Sequence, residues 1–453
     1  MAGGPIIDLD REGVAVVTDG GAELSFRELG RMADGLAERI PPGSVVFILN
    51  RNDLPSLVGL LACLNHGSVP LMLDAGMDAG RMRALTDVYR PDFLWRPAQD
   101  GFALERLQSR AEAAPPHPDL AMLLATSGST GSPKLVRLSR RNVLTNAASH
   151  VRYLGLREDD RFMASLPMDH TYGISMALAH LHVGARVVLT RHTIVERPFW
   201  EEFSGNGISV FGGVPYTYEM LDRLMFFRRN LPSLRLMTSA GGRLRDDIHL
   251  RFADHALREG KEFIVMYGQS EATAAMAYLP ADRARDKVGS VGVPIPGGRL
   301  SLSDAGDGEL LYEGPNVSMG YAFVREDFAK GDERGGRLAT GDIARVDADG
   351  FFFIEGRKSR FLKLQGHRVG LDETELMVKT AFAGTDCACT GTDELMKVHV
   401  SNLPSGLPDA ALPESVRSFL SDRLRLSASL FEVIPHEALP KAPSGKTLYS
   451  ELG

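Results

Sequence analysis

Cysteine is nearly absent. Three in 453 residues (Cys63, Cys387 and Cys389) cannot build a disulfide framework, and the Cys387-Ala-Cys389 pair has no second pair to complete a zinc site. Long like-charge blocks are missing too: 58 acidic residues against 51 basic ones give a formal net charge of −7, with no footprint for nucleic acid or a membrane surface. The most apolar stretch, Leu54 to Leu64, is far too short to span a bilayer. The opening Met-Ala-Gly-Gly-Pro lacks the basic and then apolar segments of a signal peptide. No internal repeat or low-complexity segment interrupts the chain. These absences leave a cytoplasmic enzyme as the expectation.

What is present is a globular composition, 44% apolar and 24% charged, in a chain long enough for two or three structural units. Residues 25–40 carry Phe26, Leu29, Met32, Ala33, Leu36 and Ala37 at helical spacing behind Ser25 as N-cap. Val45–Leu49 reads as a buried strand and Leu54–Leu64 as a buried helix. Short apolar runs follow at Ala121–Ala125, Arg186–Leu189, Ile208–Phe211, Leu234–Met237 and Phe263–Met266. Most of them run into Gly- or Ser-rich loops, as parallel strands do where open α/β sheets place their ligands. Beyond residue 300 the texture changes to hairpins with Asp-Gly turns at Asp307-Gly308 and Asp349-Gly350, and Val416–Leu424 reads as a helix.

The chemistry-bearing segment is Thr126-Ser-Gly-Ser-Thr-Gly-Ser-Pro-Lys134. Its small residues let backbone N–H groups approach phosphate oxygens, its hydroxyls add donors, and Lys134 supplies a point charge. It is not a Walker loop, which needs Gly-Lys-Ser/Thr. Alone, such a loop is as often a surface connection. It is followed, however, by Ser239-Ala-Gly-Gly242, Tyr267-Gly-Gln-Ser-Glu271, Thr340-Gly-Asp342, Gly356-Arg357 and Pro443-Ser-Gly-Lys446. In this order the segments resemble the adenylate-forming superfamily of acyl-CoA synthetases, luciferases and peptide-synthetase adenylation domains, with the closest look to the AMP-forming acyl-CoA synthetases. The likeness runs from about Ser25 to Lys446.

The resemblance implies a large multi-sheet α/β N-terminal domain, residues 1–356, and a small mobile α+β C-terminal domain, 357–453, with the active site between them. It implies an ATP site of Thr126, Ser127, Gly128, Ser129, Thr130, Gly131, Lys134, Gly241, Gly242, Tyr267, Gly268, Gln269, Ser270, Asp342 and Arg357. Glu271 holds Mg²⁺, whose charge offsets the triphosphate, and Asp342 with Arg357 reads the ribose. Lys446 stabilises charge during adenylation, and His170 lies beside the acyl carboxylate. Thr171, Tyr172, Phe211, Met266 and Ala274 surround the acyl group. Ser359 is the hinge, and Lys363 and Gly366 line the thiol tunnel. The bland readings are a turn for Thr-Gly-Asp, a tail lysine for Lys446 and a packed imidazole for His170. The motif register is what outweighs them. His180 and His182, without an acidic neighbour, are expected to be structural.

The implied reaction is activation of a small to medium carboxylic acid by ATP and Mg²⁺, then transfer to a thiol, with coenzyme A the expected acceptor. Rival acceptors are a carrier-protein phosphopantetheine supplied in trans, an amine or a small nitrogen nucleophile. A luciferase-like oxidoreductase and a silent nucleotide-binding relative are more distant rivals. The chain departs from its relatives in several places. Thr171 stands where amino-acid-selecting domains carry an amine-anchoring Asp, which argues against an ordinary amino-acid substrate. Leu135 replaces a Gly, Ser270 a Thr, Arg243 a small residue, and Ser359 the usual Asp or Lys of the hinge.

Overall fold

A computed structural model describes the chain except residues 1–3, 100, 108–113, 126–133, 305, 359, 366, 383, 402–411, 425, 443–446 and 453. The described residues fall into two compact units: Met1–Leu300 with Tyr312–Leu338, and Ser301–Leu311 with Ala339–Gly453. The boundary thus lies earlier in the chain than the expected Gly356. The difference is a hairpin: Arg337–Val346 pairs antiparallel with Phe352–Arg357 and falls almost wholly in the second unit, whereas a cut at residue 356 assigns it to the first.

The first unit is built on two sheets. The nine-stranded sheet runs in the order Val293–Pro294, Ala275–Leu279, Glu262–Gly268, Leu236–Ser239, Val210–Gly213, Arg161–Ala164, Arg186–Leu189, Val14–Val17, Glu23–Ser25. Its neighbours from Glu262–Gly268 to Val14–Val17 are all parallel. The seven-stranded sheet runs Gly320–Ala322, Leu135–Ser139, Leu120–Ala125, Val69–Asp74, Val45–Asn50, Phe93–Ala98, Gly101–Arg106. The apolar runs of the sequence are therefore strands, divided between two sheets.

One core joins both sheets. Val46, Ile48, Met72 and Val136 of the seven-stranded sheet share a buried cluster with Phe162, Val187, Leu236 and Ile264 of the nine-stranded one, through Leu57–Leu64 and Ile174–Leu181 of two helices. The helices begin and end where side-chain chemistry says they should. Ser25 and Glu28 form a reciprocal capping box on Phe26–Ala37, satisfying two otherwise orphaned backbone donors. Asp53 caps Leu54–His66, which stops at Gly67 in the left-handed conformation, φ 76°. No helix among the described residues is long and apolar enough to cross a membrane.

The second unit holds most of a four-stranded sheet, the hairpin Phe361–Leu364 with His367–Gly370, a three-stranded sheet Asp386–Thr392, Leu395–Ser401, Phe431–Pro435, and the helices Leu371–Ala381 and Leu412–Leu424. It has its own core around Val378, Cys389, Val398, Val416 and Leu420. All three cysteines are buried and free.

Candidate active site

In the first unit the site grows from the ends of three strands. Strand Gly320–Ala322 pairs antiparallel with Leu135–Ser139, Tyr321 opposite Val136 and Ala322 opposite Leu135. A residue one step before Leu135 shares a face with Val136, so Lys134 reaches diagonally to Tyr321. Its Nζ lies over the Tyr321 ring, 4.1 Å from the centroid. The Tyr321 hydroxyl donates to Glu271 Oε1 at 2.6 Å, and the Arg334 guanidinium stands 4.8 Å from the same ring. Burial, and then the carboxylate it donates to, push the Tyr321 phenol up to about 12. It is therefore a proton donor throughout the neutral range.

Glu271 sits in a short turn, Ser270–Ala272, at the end of strand Glu262–Gly268, and the geometry of that turn is unusual. Thr273 has φ 65° and ψ −51°, and the Ala274 N–H bonds back to the Ala272 carbonyl at 2.7 Å. This is a γ-turn on a β-branched residue, a strained arrangement that survives only where its surroundings hold it. The hold is visible. Asn316 Nδ2 donates to the carbonyls of Ala272 at 2.8 Å and Ala275 at 2.9 Å. The Asn316 carbonyl accepts from Thr273 Oγ1 at 2.7 Å, and its Oδ1 from the Tyr312 hydroxyl at 2.7 Å. Ser318 N–H donates to the Glu271 carbonyl at 2.9 Å, and Thr171 Oγ1 donates to the Thr273 carbonyl. Gly268 lies against this turn so closely that a Cβ there would stand 1.7 Å from the Ala274 oxygen.

Gly241, with φ 89°, and Gly242 follow strand Leu236–Ser239; a Cβ on them would meet Val214 and Pro215 at 3.4 and 3.3 Å. Tyr267 is half-buried and Gly268 exposed at the end of their strand.

The segment Leu166–His170 is fastened by an asparagine in the left-handed conformation, Asn52, φ 57°. Its Nδ2 donates to the Ala164 and Leu166 carbonyls, both at 3.0 Å, and its Oδ1 accepts from Met168 N–H at 2.8 Å. Asn50 donates to Asp169 Oδ1 at 3.2 Å. His170, with 42% of its side chain exposed, opens helix Thr171–Val183 with Nε2 3.9 Å from Asp169 Oδ2. Tyr172 bonds the Thr238 Oγ1 and carbonyl at 2.7 and 3.0 Å, and burial pushes its phenol up. Gly212 lies beneath: a Cβ there would be 3.0 Å from the Tyr172 hydroxyl.

Phe211, expected in the acyl pocket, faces the other way. Strand residues alternate, and since Gly212 faces Tyr172, Phe211 turns its ring to Phe199 and Phe203, 6.2 and 5.9 Å away, where it is fully buried core. Met266 and Ala274 are buried, and the Met266 sulfur accepts from the Tyr153 hydroxyl at 3.1 Å. His180 is buried, stacked on Phe162 at 4.5 Å, with its Nδ1 on the Met176 carbonyl.

In the second unit Asp342 and Arg357 are cross-strand partners. Arg357 Nε is 3.0 Å from Asp342 Oδ1, with the carboxylate side chain 4% exposed and the arginine 58%. Gly341, between Thr340 and Asp342 in the strand, has φ 74°, and Thr340 Oγ1 accepts from Asp342 N–H at 3.1 Å. Lys363 lies in strand Phe361–Leu364, opposite Arg368. Thr126, Ser127, Gly128, Ser129, Thr130, Gly131, Ser359, Gly366 and Lys446 lie outside the described residues, as does the Lys363 side chain.

Tyr321, Arg334, Asn316, Thr273, Asn50 and Asn52 were not singled out from the sequence. Only Asn52, in Asn-Arg-Asn after a strand, carries a local signal, since asparagine tolerates positive φ.

Among the described residues no group of three or more His, Cys, Asp or Glu side chains could hold a metal ion. Glu271 is a single hard oxygen donor beside a basic pair, which suits a magnesium ion that draws its other ligands from nucleotide phosphates and water.

Residues 10–322 match the family model of the AMP-binding enzymes. The chain is 25% identical over 466 residues to a 2-succinylbenzoate–CoA ligase of Bacillus velezensis, covering 95% of this chain and 93% of that one. It is 27% identical over 508 residues to 4-coumarate–CoA ligase 5 of Oryza sativa subsp. japonica, covering 98% and 92%. Among solved structures it is similar to the o-succinylbenzoate CoA synthetase of Bacillus subtilis in complex with its acyl-adenylate, with a TM-score of 0.79, 22% identity and coverage of 97% and 95%. That likeness bears on the fold.

Proposed function

The chain belongs to the AMP-binding enzyme family, and from that premise we propose that it uses ATP and Mg²⁺ to convert a small to medium carboxylic acid into its acyl-adenylate, then passes the acyl group to the thiol of coenzyme A. Relatives that align over nearly the whole chain are CoA ligases of aromatic acids, which favours an aromatic or partly polar acid. The observation that carries the reading is the Lys134–Tyr321–Glu271 cluster, which sets an ammonium and a carboxylate at the exit of the Ser/Gly loop. An ammonium there meets phosphate oxygens, and the carboxylate holds the magnesium ion that offsets their charge.

In the first half-reaction an oxygen of the acid attacks the α-phosphorus and pyrophosphate leaves. Lys134 draws the phosphates into line, Asp342 and Arg357 take the ribose hydroxyls, and Gly241 and Gly242 let the base lie against backbone beside Tyr267. His170 faces the acid's carboxylate, Thr171 and Tyr172 line the acyl group, and Lys446 stabilises the charge that develops between carboxylate and α-phosphate. In the second, the thiol sulfur attacks the acyl carbon and AMP leaves, with Ser359 as the hinge and Lys363 and Gly366 beside the thiol.

A panel of aromatic and short-chain carboxylic acids, assayed by ATP–pyrophosphate exchange, tests this reading. Acid-dependent exchange with release of AMP is expected; steady release of ADP and orthophosphate instead overturns it. Offering coenzyme A, a phosphopantetheinyl carrier protein and simple amines to the adenylate then identifies the acceptor.

A further inference from the structure

Lys134 and Glu271 are opposite charges brought to one place, and left to themselves such groups pair. A closed ammonium–carboxylate pair would withdraw the cation from the phosphates and the carboxylate from the metal ion. Both engage a third side chain. The ammonium lies on the face of the Tyr321 ring at 4.1 Å, and the phenol hydroxyl donates to Glu271 Oε1 at 2.6 Å. The tyrosine is itself fixed. Its strand pairs with Leu135–Ser139, and its carbonyl accepts from Arg137 Nε at 3.1 Å. Arg137 is a fully buried arginine that also bonds the carbonyls of Lys330, Gly331 and Met319 and the carboxylate of Glu333. The main chain of Glu271 is tied to the same segment through Ser318.

We propose that Tyr321 is the positioning residue of the phosphate and metal site: its ring seats the Lys134 ammonium, and its hydroxyl fixes one Glu271 oxygen so that the other is presented to the cation. This rests on the reading of the site as one for ATP and Mg²⁺. The two jobs belong to different parts of one side chain, so two substitutions separate them. Tyr321→Phe keeps the ring and removes the donor to the carboxylate. Tyr321→Leu removes both.

The test is calorimetric titration of the full chain with ATP, with and without Mg²⁺, beside thermal melting. For Tyr321→Phe, ATP affinity without Mg²⁺ should stay within about twofold of wild type, because the ring remains. The gain in affinity on adding Mg²⁺ should shrink about tenfold or more, the worth of one hydrogen bond to a charged group. Tyr321→Leu should also lose about threefold or more of its Mg²⁺-free ATP affinity, as expected for a cation–π contact. In a double-mutant cycle, Tyr321→Phe should have no further effect on the Mg²⁺ term once Glu271→Gln is present. A Tyr321→Phe chain that binds both forms like wild type, loses both by the same factor, or fails to fold overturns the proposal. A well-folded wild-type chain that binds no ATP overturns the functional reading itself, and the proposal with it.

Discussion

A methyl group added at Gly268 measures how tightly the Glu271 turn is held. The Cβ of Gly268→Ala would stand 1.7 Å from the Ala274 oxygen, 2.6 Å from its carbonyl carbon and 2.8 Å from the Ala275 Cα. All three are backbone atoms, so no side chain can swing aside. The turn must retreat by more than about 1 Å to restore ordinary contact. That retreat strains the Ala274–Ala272 γ-turn bond and pulls the Ala272 and Ala275 carbonyls from Asn316, a buried side chain whose amide then loses its partners. Overpacking costs about 1–3 kcal/mol, and an unsatisfied buried donor about 1–3 kcal/mol more. A combined loss of about 3–5 kcal/mol lowers the melting point of the first unit by about 5 °C. Displacing Glu271 by that distance should cost about a hundredfold in pyrophosphate exchange. Gly35→Ala is the control: in helix Phe26–Ala37 its Cβ meets nothing within 4 Å, so it should stabilise by up to about 1 kcal/mol and leave activity alone. Differential scanning fluorimetry and the exchange assay read both variants. A Gly268→Ala chain with wild-type melting refutes the steric argument. One that melts early yet turns over normally refutes the link between the turn and the metal-binding carboxylate.

Three further outcomes test the rest of the reading. Asp342→Asn should weaken ATP binding about tenfold or more and should no longer distinguish ATP from its 2′- or 3′-deoxy analogues; unchanged discrimination removes the ribose assignment. Lys446→Ala should lose about 2–4 kcal/mol of transition-state stabilisation in adenylation yet still turn pre-formed adenylate into thioester. Lys363→Ala should do the reverse, and equal losses in both steps would defeat the two-step division. Finally, His150 and His180 are buried with Nδ1 on the carbonyls of Asn146 and Met176, and burial pushes each down to about 4. Between about pH 6.5 and 4 the unfolded chain binds protons at these rings that the folded chain does not. Stability must fall as pH drops through that window, by about 2 kcal/mol per histidine between pH 7 and 5. His180→Gln should flatten the slope in urea unfolding, and a profile flat from pH 7 to 5 in wild type would contradict the burial argument.

Periodicity and caps made much of the first unit legible. Ser25 announces Phe26–Ala37 because a serine hydroxyl and a glutamate three residues on answer two orphan amides. The apolar runs announce strands because both faces of those strands are buried. The same uniformity hid where each side chain points: Ile208–Phe211 has no alternation to say that Phe211 faces the α-helical core and Gly212 the Tyr172 pocket. Nor could local pattern show which strand belongs to which sheet, since Leu120–Ala125 and Leu236–Ser239 read alike yet lie in different ones.

The site was legible only where chemistry is concentrated along the chain. Tyr267 to Glu271 contribute their groups within five consecutive residues, so their pattern is visible. The residues that hold them come from elsewhere. Asn316 braces a turn 44 residues earlier in the chain, and Tyr321 reaches Glu271 across 50. The second unit repeats the lesson around Lys446. Pro443-Ser-Gly reads as a loose tail, yet Lys441 bridges to Thr447 and pairs with Asp386. Tyr449, only three residues past Lys446, donates to Glu375 at 3.0 Å, and the Arg360 guanidinium lies 3.9 Å from its ring. Arg360, which also pairs with Glu375 at 2.7 Å, is the residue directly after Ser359. The chain on either side of the proposed adenylation lysine is therefore fastened, and through Arg360 it is fastened to the neighbour of the proposed hinge. A backbone rotation at Ser359 that carried Arg360 with it would carry Tyr449 as well, which gives a physical route by which one hinge could move that lysine between half-reactions.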